Sequence, residues 1–389
     1  MRLIRLLGAA LLWLVVLICL AATVVPFFLD RIYYRGPESA HYDGARFFNP
    51  DGEDNGGARG TGGRANMAAR FLFGDRERPT WPETVPVTPT RPPARVAGDR
   101  MHVTWIGHAT VLVQTQGLNI LTDPVWSDRA GPFGIGPRRV AAPGVRIADL
   151  PPIDLVLVSH NHYDHMDLAT LKALWKRDRP RIVTALGNDH VIAQAGVPAR
   201  ALDWGQRLAV RPGIEVAVTR NHHWSSRWFT DRNRALWSSF VVRLPGGNFF
   251  FAGDTGAGDL RWPAEAAALG PVRFAALPIG AFRFRPGQMG IDSHVGPYDA
   301  IRVWQGLGQP EALPIHWGTF RLSWEGYETP PRLLAAMLVC ARTDGQRFAA
   351  HRIGAGFDVP AIDAARRPTP PDLAAIAACG RAGRFAGLR

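Results

Sequence analysis

Cysteine is scarce in this chain. Only Cys19, Cys340 and Cys379 occur among its 389 residues, and no two of them are spaced as a Cys-x-x-Cys pair. This scarcity argues against a cysteine-ligated zinc finger and against a disulfide framework, because both need several closely spaced thiols. A metal in this protein would therefore be held by histidine and carboxylate side chains.

Charged residues are also few, at 20% of the chain, while hydrophobic residues make up 47%. A chain of this length and composition can bury a large core, so we expect one large domain or two small ones rather than disorder. The formal net charge of +12 favours anionic partners such as nucleic acid, anionic lipid or a phosphorylated substrate. Arginine-rich usage in a GC-rich genome would explain the same charge, which therefore does not choose among these partners.

The 24 residues from 6 to 29 carry no charge and follow Arg2 and Arg5. A helix of about 20 apolar residues crosses a bilayer, so this run is long enough to be a membrane anchor. The preceding basic residues predict that the N-terminus stays in the cytoplasm. We therefore predict a bacterial inner-membrane protein whose catalytic domain lies in the periplasm.

A cleaved signal peptide is the alternative interpretation of this segment. The run is long for such a peptide, and Ala21-Ala22 offers only a weak cleavage site. These features favour an uncleaved anchor, although Asp30, Arg31 and Arg35 after the run weaken the orientation signal.

Composition divides the chain into four segments. Residues 1–35 contain the anchor, and residues 36–100 form a linker and irregular arm that is rich in glycine and later in proline. Residues 101–359 form the main folded domain. Residues 360–389 form a low-complexity tail or a loosely docked helix.

Apolar periodicity predicts the regular elements of the main domain. Strands are predicted at 102–106, 109–115, 118–122, 153–158, 181–184, 214–219, 236–244, 248–252, 274–279 and 312–315. Helices are predicted at 167–177, 263–269, 297–306 and 331–343. Strands with interspersed helices predict an α/β sandwich.

One motif of metal-ligand residues directly follows the strand predicted at 153–158. It reads Ser159-His160-Asn161-His162-Tyr163-Asp164-His165. Alternation along the chain would point His160 and His162 at one metal, and a turn would present Asp164 and His165 to a second. An isolated histidine is more often an ordinary surface residue, but four residues of the kinds that bind metals, at this spacing, favour a metal site.

Further candidate ligands stand at the ends of later predicted strands. They are His222 and His223, then Asp254, then His316. Any one of them could be a satisfied core residue. Because functional groups of α/β folds gather at the carboxyl ends of strands, the set favours one shared site.

These motifs, in this order, resemble the metallo-β-lactamase fold. More closely, they resemble the N-acylphosphatidylethanolamine-hydrolysing phospholipase D family and its bacterial relatives. The resemblance covers about residues 40–345 and rests on His41-Tyr42-Asp43-Gly44, Phe47-Phe48-Asn49-Pro50, Trp105-Ile106-Gly107-His108-Ala109-Thr110, Leu121-Thr122-Asp123-Pro124, the motif at 159–165, His223-Trp224, Asp231-x-Asn233-x-x-Leu236-Trp237, Phe251-Ala252-Gly253-Asp254-Thr255-Gly256, Pro278-Ile279-Gly280-Ala281 and Ile315-His316-Trp317-Gly318-Thr319-Phe320. The chain departs from the family pattern at Ser238, where the family more often has glycine, at Phe240, where it more often has tryptophan, and at Gly296, where it usually has an acidic residue.

The resemblance implies a four-layer αββα sandwich behind an N-terminal membrane-spanning or signal segment. It also implies two zinc ions and assigns their ligands. His160, His162 and His223 would bind the first ion, Asp164, His165 and His316 the second, and Asp254 would bridge. His223 is preferred to His222 because the family ligand immediately precedes the tryptophan.

The resemblance also implies roles around the metals. Asp164 and Asp254 would be catalytic, together with His294, which would orient the substrate phosphate or protonate the leaving group. Asp123 would either hold a ligating histidine in place or fix the turn in which it lies, because carboxylates next to a metal site orient the ligating imidazoles.

The implied reaction is hydrolysis of a glycerophospholipid phosphodiester by a metal-bridging hydroxide. N-acylphosphatidylethanolamine would give phosphatidate and an N-acylethanolamine. The expected partners are this phospholipid and the membrane, with no nucleic acid; a homo-oligomer stays open. The alternatives are another hydrolase of this fold, such as a lactonase, amidase or nuclease, and a non-catalytic membrane-tethered binding protein.

Aromatic residues flank the metal motifs and could line an acyl groove, lie at the bilayer interface or belong to the core. They are Trp126, Phe133, Trp224, Trp228, Phe229, Phe282 and Phe284.

Overall fold

The computed structural model describes residues 2–29, 32–52, 78–228, 230–284 and 293–388. Residues 53–77 of the predicted linker and arm, and Phe229, lie outside this part of the chain. The strands within it are β1 (Met101–Gly107), β2 (Thr110–Thr115), β3 (Leu118–Thr122), β4 (Leu155–Val158), β5 (Arg181–Ala185), β6 (Arg200–Leu202), β7 (Arg207–Arg211), β8 (Ile214–Thr219), β9 (Ser239–Arg243), β10 (Asn248–Phe251), β11 (Val272–Pro278), β12 (Glu311–Ile315) and β13 (Gly356–Val359). The α-helices are α1 (Arg2–Leu29), α2 (Leu168–Asp178), α3 (Asn188–Ala193), α4 (Trp262–Ala267), α5 (Pro297–Gly306), α6 (Thr329–Cys340) and α7 (Leu373–Arg381).

The strands form two sheets. One has seven strands in the order β13-β1-β2-β3-β4-β5-β6, and the other has six in the order β12-β11-β10-β9-β8-β7. In the first sheet β3 to β6 are parallel, and β1 runs in the same direction because both β1 and β3 are antiparallel to β2. In the second sheet β8, β10, β11 and β12 share one direction, since β9 is antiparallel to both β8 and β10. Strands with a common direction place their carboxyl ends at one edge.

The two sheets pack face to face through alternate residues of their strands. Val111 and Leu157 of the first sheet lie in one buried cluster with Phe249, Phe251 and other side chains of the second. The intervening residues, such as Phe250, face outward but are also buried. Strands buried on both faces read as continuous apolar runs, which is why these segments could be predicted.

Helices cover both outer faces. Phe250 and Leu277 pack with α4, α5 and α6, while residues of α2 and α3 pack on the first sheet. The result is the four-layer αββα sandwich that was predicted. The short strands β6, β7 and β13 and the short helix α3 were not predicted, because each has too few residues for a clear periodicity.

Helix α1 is the one helix of the described residues that is long and apolar enough to cross a membrane, over Ile4–Val24. Its described side chains are exposed in the structure. A membrane anchor and an N-terminal signal sequence both have these properties, so the structure leaves the two interpretations open.

The C-terminal segment is fastened to the domain. Ile376 of α7 is buried against the cluster that contains α6, and a disulfide joins Cys340 to Cys379. The sequence argued against a framework of several disulfides and did not predict this single bridge. The two residues are 39 positions apart, and such a distance leaves no local spacing pattern in the sequence.

This disulfide yields a test on the full-length protein in detergent. Cys379→Ser should lower the free energy of unfolding by about 2–4 kcal/mol, because the reduced chain regains the freedom of a long loop. The change in melting temperature measures it, and peptide mass spectrometry without reductant should show the Cys340–Cys379 link. Cys19→Ser is the matched control and should not change the melting temperature; equal effects of the two substitutions would contradict the role of the bridge.

Candidate metal centre

One edge of the sandwich gathers the candidate ligands, because strands of both sheets end there. The residues that follow these strand ends are His108 after β1, Asp123 after β3, the motif at 159–165 after β4, His222 and His223 after β8, Asp254 after β10, and His316 after β12. Three of them, His108, Asp123 and His316, have a positive φ. Left-handed backbone at non-glycine residues is costly and is often found at functional sites.

The first group consists of three imidazoles and a carboxylate. His160 Nε2 lies 2.7 Å from His162 Nδ1, and His223 Nε2 lies 3.4 Å from the same atom. Asp254 completes a set whose ligand atoms all lie within 4.8 Å of one another. Three nitrogens and one oxygen in this arrangement suit tetrahedral zinc.

The second group surrounds Asp164. Its Oδ2 lies 3.4 Å from Nε2 of both His165 and His316, and 2.9 Å from His108 Nε2. The sequence alone predicted no role for His108. Its position just after a predicted strand, which it shares with the other candidate ligands, could have indicated that it belongs to the site.

Asp254 lies between the two groups. Its Oδ2 is 3.0 Å from Nε2 of His165 and 3.0 Å from Nε2 of His316. The same atom is 4.0 Å from His223 Nε2 and 3.7 Å from His294 Nδ1. The structure therefore brings all seven predicted ligands and His294 together, with Asp254 in contact with residues of both groups.

Hydrogen bonds fix the outer nitrogens of several of these histidines. His223 Nδ1 donates to the Ser293 carbonyl at 2.9 Å, and His165 Nδ1 lies 2.6 Å from Asp123 Oδ2. His160 Nδ1 lies 2.9 Å from Ser159 Oγ, which in turn donates to Asp123. With a proton on each Nδ1, the Nε2 lone pairs of these rings face the centre, as metal coordination requires.

Burial and charge divide the histidines into two classes. Burial lowers the pKa of His162 to about 3 and that of His294 to about 4, so both rings are neutral near pH 7. Burial also acts on His316, but the carboxylates of Asp254 and Asp164 outweigh it and raise its pKa to about 9. The two carboxylates thus require positive charge beside them, which bound cations can supply in place of protons.

The residues fit a metal-bound state in two further respects. Among the described buried atoms, Asp254 Oδ1 has no hydrogen-bond partner. Buried polar atoms are seldom left unsatisfied, so such an atom points to a missing ligand. The donor set consists of nitrogen and oxygen, which suits zinc and also iron or manganese.

The N-terminal arm, residues 32–52, supports this centre. Asn49 Nδ2 donates to the His223 carbonyl at 2.8 Å, and Asn49 Oδ1 accepts from the His223 amide at 3.3 Å. His222 Nδ1 lies 2.9 Å from Asp51 Oδ1 and so is engaged with the arm instead. This part of the predicted arm is irregular, and it is packed against the domain through buried Tyr42 and Phe47.

The departure at Gly296 has a steric explanation. A Cβ at this position would lie 2.8 Å from the ring of Phe282. The acidic residue that the family pattern places here would therefore displace Phe282. The surroundings of His294 are aromatic on this side, and Phe284 lies 5.8 Å away between ring centroids.

The comparisons with known proteins agree on one family. Residues 118–317 match the model of the beta-lactamase superfamily domain. An uncharacterized protein of Mycobacterium tuberculosis is 38% identical over 245 residues, which cover 61% of this chain but only 64% of that protein. N-acyl-phosphatidylethanolamine-hydrolyzing phospholipase D 1 of Caenorhabditis elegans is 33% identical over 306 residues, which cover 73% of this chain and 85% of the enzyme.

Solved structures show the same architecture. The isothiocyanate hydrolase from Delia radicum gut bacteria superimposes with a TM-score of 0.52 over 67% of this chain and 100% of its own, at 20% identity. At this identity the likeness shows the fold alone.

Asp123 provides a test of how the centre is held. Asp123→Asn should lower metal affinity about 10–100-fold, because Asp123 accepts from His165 Nδ1 and Ser159 Oγ at Oδ2 and from the Ser159 amide at Oδ1, whereas the asparagine NH2 group would face one of these donors. Chelator competition followed by elemental analysis measures the affinity. Asp167→Asn is the matched control, since Asp167 is also buried but caps α2 through Ala169 N and Thr170 N; unchanged affinity in Asp123→Asn would contradict the positioning role.

Proposed function

Because the chain belongs to the beta-lactamase superfamily and is a homologue of the N-acyl-phosphatidylethanolamine-hydrolyzing phospholipases D, we propose that this metal-dependent hydrolase cleaves a glycerophospholipid phosphodiester. The substrate is N-acylphosphatidylethanolamine, and the products are phosphatidate and an N-acylethanolamine. Two zinc ions are the proposed cofactors.

One observation carries the proposal. Asp254 lies between two groups of histidines, within 3.0 Å of His165 and His316 and 4.0 Å of His223. A carboxylate shared by two nitrogen-rich sites supports a binuclear centre, which is suited to displacement at phosphorus because it can stabilise both the attacking and the leaving oxygen.

Each group of residues would have a separate role at the metal centre. His160, His162 and His223 would hold one ion, Asp164, His165 and His316 the other, and Asp254 both. When bound, the two ions would activate water at neutral pH and neutralise the phosphate charge. His108 would hold Asp164 through the contact of 2.9 Å, and Asp123 would hold His165.

His294 would bind the phosphate. It lies 3.7 Å from Asp254, and its Nδ1 has no hydrogen-bond partner among the described residues. Because burial lowers its pKa to about 4, the ring is neutral near pH 7 and can donate a hydrogen bond to a phosphate oxygen. Orientation of the substrate is thus favoured over protonation of the leaving group.

The proposed location is the bacterial inner membrane, with α1 as the anchor and the catalytic domain in the periplasm. Two features support this arrangement. The apolar segment Ile4–Val24 is long enough to cross the bilayer. The Cys340–Cys379 disulfide lies in the catalytic part of the chain, and disulfides persist in oxidising compartments such as the periplasm.

Asp254→Asn tests the shared carboxylate. The amide keeps the shape but removes the charge between two cations, so activity should fall about 10³-fold, equivalent to several kcal/mol of charge stabilisation. Elemental analysis should show two zinc ions per native chain and fewer in the variant. Asp259→Asn, which alters a carboxylate paired with Arg220, is the control; a folded Asp254→Asn variant with normal turnover would exclude the bridging role.

The substrate is tested with a panel offered to the full-length, zinc-loaded protein. The panel contains N-acylphosphatidylethanolamine, unmodified phosphatidylethanolamine, an N-acyl lactone, a β-lactam and bis-p-nitrophenyl phosphate. Phosphatidate release from the first compound is the expected result, because the homologues are named for that hydrolysis. The Asp254→Asn variant serves as the blank for contaminating activity.

Efficient turnover of the lactone or the lactam, with no hydrolysis of either phospholipid, would exclude the lipid substrate. The binuclear centre would remain, because elemental analysis tests it separately.

A further inference from the structure

A short hairpin presents two apolar side chains to solvent. It spans residues 129–138, with Arg129 and Arg138 paired in an isolated β-bridge. Phe133 at its tip is 87% exposed and Ile135 is 59% exposed. Single exposed apolar side chains are common, but neighbouring ones that form a patch can mark a site of interaction.

The hairpin stands on an ordered base. Ala130 N donates to the Pro137 carbonyl at 3.0 Å, and Arg139 N donates to the Asp128 carbonyl at 2.8 Å. The Arg139 side chain is buried and donates to the Val125 carbonyl at 2.8 Å. The exposure of the tip is therefore built into the structure rather than caused by a loose loop.

The backbone of the tip is also unusual. Phe133 has a φ of 54°, in the left-handed region that a bulky residue seldom adopts. Gly134 and Gly136 on either side of Ile135 also have positive φ. A strained backbone that displays an aromatic ring in water points to a function for the ring.

A series of contacts places this tip near the point where α1 ends. The rings of Phe133 and Trp228 lie 6.1 Å apart. Trp228 N donates to Asp231 Oδ1 at 2.8 Å, and Tyr33 Oη donates to Asp231 Oδ2 at 2.9 Å. Tyr33 follows Leu29, the last residue of α1, by four residues, which span at most about 14 Å.

The same contacts connect the tip to the metal centre. Trp228 and Asp231 belong to the loop 221–237, which also contains His223. Arg227 of this loop donates to the Asn161 and Met166 carbonyls at 2.9 and 2.8 Å. A surface that received the tip would therefore lie beside the candidate metal centre.

The charge around the tip suits an anionic surface. Arg129 and Arg138 are exposed at the base of the hairpin, against the single exposed carboxylate of Asp128. Basic residues that flank an exposed aromatic and an aliphatic side chain are typical of segments that lie in the headgroup region of a bilayer.

We propose that the tip of this hairpin, Phe133 and Ile135, docks into the surface of the bilayer that α1 crosses. This inference rests on the proposed function, because it assumes that α1 is an anchor and that the substrate is a lipid. It adds a second point of attachment, which turns the metal centre towards the lipid headgroups. The partner is the lipid surface itself.

The test uses the full-length protein in vesicles of phosphatidylethanolamine with a minority of phosphatidylglycerol. In a Cys19→Ser background, Phe133→Cys, Ile135→Cys and Ile362→Cys are labelled without reductant with an environment-sensitive fluorophore, so that the Cys340–Cys379 bridge stays closed. The label at 362 is the control, since Ile362 is also exposed. Quenching by nitroxide-labelled lipids and by aqueous iodide reports where each label lies.

Labels at 133 and 135 should show blue-shifted emission and strong quenching by nitroxide lipids, whereas the label at 362 should be quenched by iodide. Equal iodide quenching at all three positions would overturn the proposal. Protection from both quenchers at 133 and 135 would also overturn it and would indicate that a second copy of the chain covers the tip. Because this measurement needs no turnover, it stays informative whether or not the substrate assignment holds.

A second measurement connects docking to catalysis. The double variant Phe133→Ser/Ile135→Ser should hydrolyse N-acylphosphatidylethanolamine in vesicles about tenfold more slowly, because two apolar side chains no longer enter the membrane. Its turnover of soluble bis-p-nitrophenyl phosphate should match that of the native protein. Val339→Ser, which removes another exposed apolar side chain (74% exposed), should change neither rate; an equal loss on both substrates in the double variant would mean that the hairpin serves the fold and not docking.

Discussion

Two carboxylates, one buried and one partly buried, constrain the rest of this structure. Asp164 and Asp254 lie at one edge of the sandwich, and a buried carboxylate is very costly unless opposite charge surrounds it. Burial raises their pKa, but the charge of His165, with its neighbours, holds the pKa of both well below the usual range. Six strands of two sheets end at this edge, and each delivers a histidine or an aspartate to it. Because these strands run in the same direction within each sheet, their carboxyl ends bring many charged side chains to one edge.

The sandwich alone does not hold these residues in place. His223 lies on a loop without regular structure, and its backbone is fixed by Asn49 from the N-terminal arm. Tyr33, near the end of α1, is bonded to the same loop through Asp231. The segment between the apolar helix and the domain is therefore part of the scaffold of the metal centre. A truncated variant that lacks only α1 would keep the contact between Asn49 and His223, whereas a variant truncated beyond Asn49 would lose it.

Local patterns predicted much of this arrangement. The motif at 159–165 is contiguous, and strands such as β10 are apolar throughout because both of their faces are buried, so each leaves a clear trace in the sequence. The bond between Asn49 and His223 joins residues 174 positions apart, and the partner of Cys340 is 39 positions away. Nothing in the neighbouring residues encodes such a contact. His108 falls between these cases, since its position after β1 was visible but its approach to Asp164 depends on the packing of the whole edge.

The net charge of +12 has a structural explanation as well as an electrostatic one. All but two of the 45 basic residues are arginines, and a guanidinium offers five donors in a rigid plane. Arg139, Arg227 and Arg273 use theirs on backbone carbonyls of neighbouring segments. Long connections with few ladder bonds need such donors, because buried carbonyls must be satisfied. Much of the positive charge thus holds loops in place, and a count of arginines overstates the attraction to a polyanion. Arg129 and Arg138 lie exposed beside the apolar tip, and together with Phe133 they suit the docking on a lipid surface that is proposed above.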